Sequence, residues 1–260
     1  MNLSFLLKDL IYWSVIIGTL ERARYADDLL FRQHIARYNF ATGFANGKLV
    51  LDYGCGEGYG AALLSGNAKK VISLDISYEA VRQANKKLSS GVIQADVCYA
   101  PFRSGSFDMV VSFEVFEHIS NVMLYLKEIC RVAKDSGVFL MSTPNVDYYP
   151  MAGLNPYHIK EYSVDEVTKF LTDAGFRDIK IFAQVPKRMQ IARLERSKFL
   201  LFLMKAKRKV CFHGELLPRF LQRIVNRIIA GGPIDKSALE DYQFIEGKND
   251  ESVLLYFVRK

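Results

Sequence analysis

From Lys48 onward, apolar residues fall into two alternating patterns. Short β-branched runs, apolar on both sides, read as strands: "KLVLDY" (48–53), "KVISLD" (70–75), "GVIQAD" (91–96), "FDMVVSFE" (107–114) and "GVFLMST" (137–143), the last stopped at Pro144. Helix-length amphipathic stretches separate them. "YGAALLSG" (59–66) is a short one ended by Gly66. In "SYEAVRQANKKL" (77–88), Ser77 stands where an N-cap belongs and Lys86 and Lys87 sit near the negative end of the helix dipole. "NVMLYLKEICRVA" (121–133) places Val122, Leu126, Ile129 and Val132 or Ala133 on one face. Further on, Ser163 and Glu166 form an S-x-x-E capping box, and Gly175 suits the left-handed residue that closes a helix. "RDIKIFAQ" (177–184) and "ESVLLYFVRK" (251–260) read as two more strands. Buried strands alternating with helices predict an α/β fold, a mostly parallel sheet covered on both faces.

Length and composition leave that picture intact. The 260 residues suffice for one large domain, or a domain with an appendage, and half of them are apolar, as in a soluble globular protein. Cys55, Cys98, Cys130 and Cys211 show neither CxxC nor metal-ligand spacing, so no disulfide and no metal is expected, and a reducing cytoplasm fits. Near the N-terminus the uncharged run from Leu10 to Leu20 is about half of the roughly 20 residues that span a bilayer. It reads as a buried or docking helix, with an interfacial anchor as the other reading.

Charge changes the picture more. Between Pro186 and Ala230 twelve Lys/Arg face only Glu195 and Glu215, a local +10 within an overall +7, so the rest of the chain carries −3. "PRFLQRIVNRII" spaces Arg219, Arg223 and Arg227 at four-residue intervals beside aliphatic rows, and Lys198 and "KAKRK" frame the apolar "FLLFLM". Such basic amphipathic helices suit an anionic membrane surface; a solvated rim on helices packed at the sheet edge is the equal alternative. Phosphate contacts to RNA rank lower, because aliphatic rather than aromatic residues interleave the cations.

The candidate chemistry starts in "LDYGCGEGYG", where Gly54, Gly56, Gly58 and Gly60 follow the first strand. Loops at the carboxyl ends of parallel strands hold ligands at the point where strand order reverses. A dinucleotide fingerprint beginning at Gly54 needs glycine at 59, which is Tyr. Asp52, two residues before the first glycine, disfavours a pyrophosphate and suits a ligand with an ammonium group, such as S-adenosylmethionine. Asp75, ending the second strand, can accept from ribose hydroxyls, and Asp96, ending the third, from an adenine amino group.

With "VISLDIS", "IQADVCYAPFRSGSFDMVVSFEVFEHI" and "GVFLMSTPN" in order behind that loop, the chain resembles the class I S-adenosylmethionine-dependent methyltransferases over about 49–184 and the last strand. The resemblance implies a doubly wound, seven-stranded, mostly parallel Rossmann-like sheet whose last strand is antiparallel. It divides the chain into an N-terminal helical cap (1–46), a cofactor-binding core (47–185), a basic helical insertion (186–235) and the final strand of the core (236–260). Asp52, Gly54 and Gly56 would line the methionine moiety, Asp75 and Ile76 the ribose, and Asp96 and Val97 the adenine. Phe113 would start the loop that closes over the cofactor. Arg37 would reach the cofactor's carboxylate, or form an ordinary surface ion pair. Cys55 reads as a small filler beneath the cofactor.

Two flanking stretches, "HIARY" (34–38) and "NPYHIKEYS" (155–163), resemble the type 11-like methyltransferases of bacterial glycan and lipopolysaccharide assembly. They imply O-methylation of a sugar or lipid-linked glycan; another small molecule (quinone-like or a secondary metabolite) is the alternative. A hydroxyl acceptor must lose a proton, and the candidates to take it are His158, oriented by Glu161, and His118. Bracing of the following helix is the competing role for His158, and for His118 the stronger one is a structural role of the Glu-His pair, read as opening the next helix. His34 and His213 read as surface or packing residues. "SFEVFE" stands where amino-directed DNA methylases carry N/D-P-P-Y/F, which argues against DNA. The implied location is cytoplasmic, with peripheral contact at the inner membrane face through 186–230. A non-catalytic cofactor-binding subunit is the third reading.

Overall fold

The computed structural model describes residues 29–88, 91–148, 157–186, 242–247 and 253–260. Most of residues 1–46 and nearly all of the basic segment 186–235, with the readings made on them, therefore lie outside the described residues. The chain divides into two compact units, Met1–Gln33 with Val185–Gln243, and His34–Gln184 with Phe244–Lys260. Nearly all described residues belong to the second.

Helix α1 (Leu29–Thr42) leads to β1 (Leu49–Tyr53), α2 (Tyr59–Leu64), β2 (Lys70–Asp75), α3 (Tyr78–Lys87) and β3 (Val92–Gln94). Then follow β4 (Phe107–Phe113), a 3-10 turn (Phe116–His118), α4 (Val122–Val132), β5 (Ala133–Pro144), α5 (Val164–Asp173), β6 (Arg177–Pro186), β7 (Tyr242–Glu246) and β8 (Val253–Arg259). The caps follow the sequence chemistry. Ser77 accepts from Ala80 N, Ser163 and Glu166 complete their reciprocal box, and Gly175 closes α5 at φ 98°. The predicted face of α4 is buried, with Tyr125 added to it.

The sheet order is β3-β2-β1-β4-β5-β8-β6-β7, with β1 to β5 parallel and β8 antiparallel to both β5 and β6. The described residues form eight strands where seven were expected. The extra one, β7, is a half-buried edge strand ("YQFIE") whose polar Gln243 and Glu246 break any continuous apolar run. Two further departures are local. β5 begins at Ala133 instead of Gly137, and a register shift between Phe107 and Met109 of β4 absorbs its polar start. The Glu117-His118 pair sits in the 3-10 turn, not at the opening of α4, because Asn121 caps that helix through Leu124 N at 3.1 Å.

Chain order reverses between β1 and β4, paired at Leu51–Val110. Tyr38 and Ala41 of α1, with Ala45 just beyond its end, pack into the same core as Val50, Met109 and Val111. Burying each large side chain there stabilises the fold by about 1.5–3 kcal/mol. That packing fixes α1 over the reversal, and with it the polar residues α1 carries.

Candidate active site

The loop after β1 is held by its backbone. Gly54 N and Cys55 N both donate to Leu74 O, at 2.8 and 2.9 Å, and Gly56 N donates to Asp75 Oδ2 at 2.8 Å. Its glycines do different work. A Cβ on Gly54 would come within 2.5 Å of Val115, and one on Gly60 within 2.0 Å of the Tyr38 ring. A Cβ on Gly56 (φ 53°) would meet nothing within 4 Å. Gly54 and Gly60 thus serve packing, whereas Gly56 borders open space.

Asp75 anchors this loop to α3, its Oδ1 accepting from Ser77 N at 2.9 Å. Each of its oxygens retains a second lone pair for an outside donor. At the carboxyl ends of β2 and β3, Ile76 is 66% exposed and Asp96 is exposed, its Oδ1 accepting from Cys98 N at 2.7 Å. Val97 is buried, and its carbonyl accepts from the Tyr53 hydroxyl. Phe113 closes β4 with its ring buried edge-on against Tyr38 at 4.9 Å, so its side chain belongs to the core and the loop begins beyond it.

Asp52 is fully buried. Its Oδ1 accepts from the Tyr38 hydroxyl at 2.9 Å, and its Oδ2 has no hydrogen-bond partner. Burial pushes its carboxyl up to about 7; the Tyr38 hydroxyl pulls down and the neighbouring Asp75 pushes further up. Burial also pushes the Cys55 thiol well up, which suits a filler and not a nucleophile.

Arg37 is 1% exposed, which rules out the surface ion pair. Its Nη1 donates to Gln184 Oε1 at 2.9 Å, its Nη2 lies 4.0 Å from Glu114 Oε1, and its Nε has no partner. Glu114, held at φ 55°, accepts from Ser142 Oγ at 2.7 Å. Burial alone would raise its carboxyl, but Arg37 and the Ser142 hydroxyl hold it below the usual range. His34 contacts the Tyr59 hydroxyl through Nδ1 at 3.0 Å, and burial, aided by Arg37, lowers its pKa to about 3. It is a neutral packing residue.

A second cluster gathers Glu117, His118, His158 and Glu161. His158 Nδ1 lies 2.7 Å from Glu161 Oε1, and its Nε2 lies 4.0 Å from Glu117 Oε1. The His118 ring stands edge-on to that of His158 at 5.0 Å, with its Nδ1 2.8 Å from Tyr157 O. Glu117 is buried, and desolvation, with Glu114 adding to it, pushes its carboxyl well up. His158 and Glu161 therefore meet, and His118 joins them. Glu114, Glu117 and Tyr38 were not singled out from sequence. For Glu114 and Glu117 the available signal was two carboxylates within four residues of the end of a strand apolar on both faces, a costly placement unless each finds a partner.

Four features fit S-adenosylmethionine. The orphaned buried oxygen of Asp52 suits an ammonium, the unpartnered Nε of Arg37 a carboxylate, Asp75 a ribose, and the open face at Gly56 a closely approaching ligand.

Residues 51–141 match the family described as "Methyltransferase domain". A probable S-adenosylmethionine-dependent methyltransferase of Mycobacterium tuberculosis is 37% identical over 153 residues, 57% of this chain and 56% of that protein. The chain thus spans about half the length of the curated relatives it matches. An S-adenosylmethionine-dependent methyltransferase structure from Thermotoga maritima superposes with TM-score 0.61 at 14% identity, covering 94% of this chain and 96% of that one. One from Archaeoglobus fulgidus gives 0.60 at 17%, covering 94% and 99%. These two share the fold. Strand order and matched residues agree: residues 51–141 match a methyltransferase domain, on a fold shared with S-adenosylmethionine-dependent methyltransferases.

Proposed function

We propose that this protein transfers a methyl group from S-adenosylmethionine to a hydroxyl of a sugar or lipid-linked glycan. The observation that carries the donor half is the buried Asp52 Oδ2 without a partner, one residue before the end of β1. The bound donor supplies a methyl group on a positively charged sulfur. Asp52 would hold its ammonium, Arg37 its carboxylate, Asp75 with Ile76 its ribose, and Asp96 with Val97 its adenine, while Gly56 lets the backbone approach.

Transfer by in-line displacement depends mostly on alignment, which the anchored loop and the buried arginine favour by leaving few ways to bind. The acceptor's hydroxyl must also shed its proton. The cluster around His158, oriented by Glu161 and joined by His118, is the part of the site equipped to bring that about. The sugar half of the reading rests on "HIARY" and "NPYHIKEYS". Among the described residues no helix is long and apolar enough to cross a membrane. We place the protein in the cytoplasm, with peripheral contact to the inner membrane face through the basic segment 186–230.

Isotope transfer from methyl-labelled S-adenosylmethionine tests this, with free sugars, lipid-linked glycans, quinone-like phenols and RNA offered separately. Label in the sugar hydroxyls supports the proposal. Label only in phenols or RNA overturns the acceptor, and label in nothing overturns catalysis.

A further inference from the structure

We propose that Glu117, His118 and His158 bind one divalent first-row metal ion on the acceptor side of the site. One ligand atom from each residue can be chosen so that all three lie within 4.8 Å of one another. No metal was expected from the sequence, since the cysteines show no ligand spacing.

Two independent observations give this grouping its direction. The first is the far side of each ring. Tyr157 O can only accept, so the His118 Nδ1 at 2.8 Å carries the proton and the lone pair of the neutral ring is on Nε2. The Glu161 carboxylate at 2.7 Å sets the same tautomer on His158, and the His158 Nε2 lies 4.0 Å from Glu117 Oε1. A carbonyl or carboxylate behind the far nitrogen is how metal-ligating histidines are oriented. The second is Glu117 itself. Its Oε2 accepts from Thr143 Oγ1 at 3.0 Å, while its buried Oε1 has no hydrogen-bond partner. The backbone joins the two halves of the site, because Glu117 O accepts from Ile159 N at 2.9 Å and Lys160 N at 3.3 Å.

Two imidazoles and a carboxylate, with no thiolate, suit Mn²⁺, Fe²⁺, Co²⁺ or Zn²⁺ better than Ca²⁺ or Mg²⁺. Ligand bonds of about 2.0–2.2 Å would place these atoms some 3–3.5 Å apart, so the widest separation must close by up to roughly 1.3–1.8 Å. His118 is exposed and can make that move. Three protein ligands leave positions open for the acceptor. A hydroxyl bound there loses its proton to water at a lower pH. Its oxygen keeps the electron pair, forms the new bond to the methyl carbon, and the broken carbon–sulfur bond leaves its pair on sulfur. That role rests on the methyl-transfer reading above; ion binding does not.

The test uses the full chain, stripped with EDTA, dialysed and titrated with CoCl₂, MnCl₂, ZnCl₂ or MgCl₂ by calorimetry, with the Co²⁺ absorption spectrum as a second readout. One saturable site per chain is expected for the transition ions, at least ten-fold weaker for Mg²⁺. Glu117→Gln and His118→Ala should each weaken Co²⁺ binding ten-fold or more, and His118→Ala, at an exposed position, keeps the test sound should the buried variant fail to fold. Absence of saturable binding, or binding unchanged in His118→Ala, overturns the site. Binding together with EDTA-insensitive methyl transfer overturns the activating role and leaves the transfer itself standing.

Discussion

Tyr38 donates its hydroxyl to Oδ1 of Asp52 at 2.9 Å, while the other oxygen of that buried carboxylate has no partner. Burial holds the group near pKa 7 in the folded chain, against about 3.9 in an unfolded one. The sign follows. Folding binds this proton more tightly, so the contribution to stability is fully present below about pH 4 and is lost as pH rises through about 7. A ligand ammonium beside Oδ2 reverses the shift by favouring the anion. Cofactor binding at pH 6 should therefore release a proton, visible by calorimetry in buffers of different ionisation enthalpy. Affinity should rise from pH 5.5 to 7, by at most about ten-fold per unit, and level off above. Binding at pH 6 without proton release would refute the pairing with Asp52.

Tyr38→Phe separates the hydroxyl from the ring. The ring keeps its packing against Phe113 and Gly60. Losing the hydrogen bond leaves a buried acceptor unsatisfied, at a cost of about 1–3 kcal/mol. It also removes an interaction that favours the carboxylate, so the midpoint of the affinity–pH curve should move above that of the parent. Parallel titrations of the two proteins check this, and an unmoved midpoint counts against it.

Gly56 and Gly60 make opposite predictions for the same change. Gly56→Ala introduces no clash, so its cost is the left-handed backbone alone, about 1–2 kcal/mol, while the new methyl enters the ligand's space. Cofactor affinity should fall at least ten-fold with a modest loss of Tm. Gly60→Ala drives its Cβ into Tyr38, so the loss appears first in Tm, at roughly 1–3 kcal/mol or more. Thermal denaturation beside cofactor titration distinguishes them; equal profiles would mean that Gly56 does not border the cofactor.

The order of strands and helices was legible because each buried strand and each amphipathic helix states its own period. β7 was not, since a half-buried edge strand carries only a weak pattern. The site divides the same way. Asp52, Asp75 and the glycine run are local to one loop and its flanking strands, and His158 with Glu161 sits three apart on one segment. What stayed hidden were contacts made by folding. Arg37 gave no sign in sequence that it would be buried against Gln184, 147 residues away. Glu117 and His118 looked like the opening of a helix until Asn121 proved to be the cap and the turn proved to be docked on Ile159 and Lys160.

Arg37 provides the sharpest separation of binding from folding. Arg37→Met removes the cation nearest Glu114 and strands a largely buried carboxylate, which should cost roughly 3 kcal/mol and lower Tm accordingly. Arg37→Lys keeps the charge but loses the planar fork that serves Gln184 and presents the unpartnered Nε at the same time. It should fold nearly as well as the parent, bind S-adenosylmethionine about ten-fold more weakly, a loss of roughly 1.4 kcal/mol, and retain most of its turnover once the cofactor is saturating. Cofactor KM and kcat measured separately give the answer. If the lysine variant binds the cofactor as tightly as the parent, the arginine braces Glu114 and nothing more; if kcat falls instead of KM rising, its contact is made during transfer and not in binding.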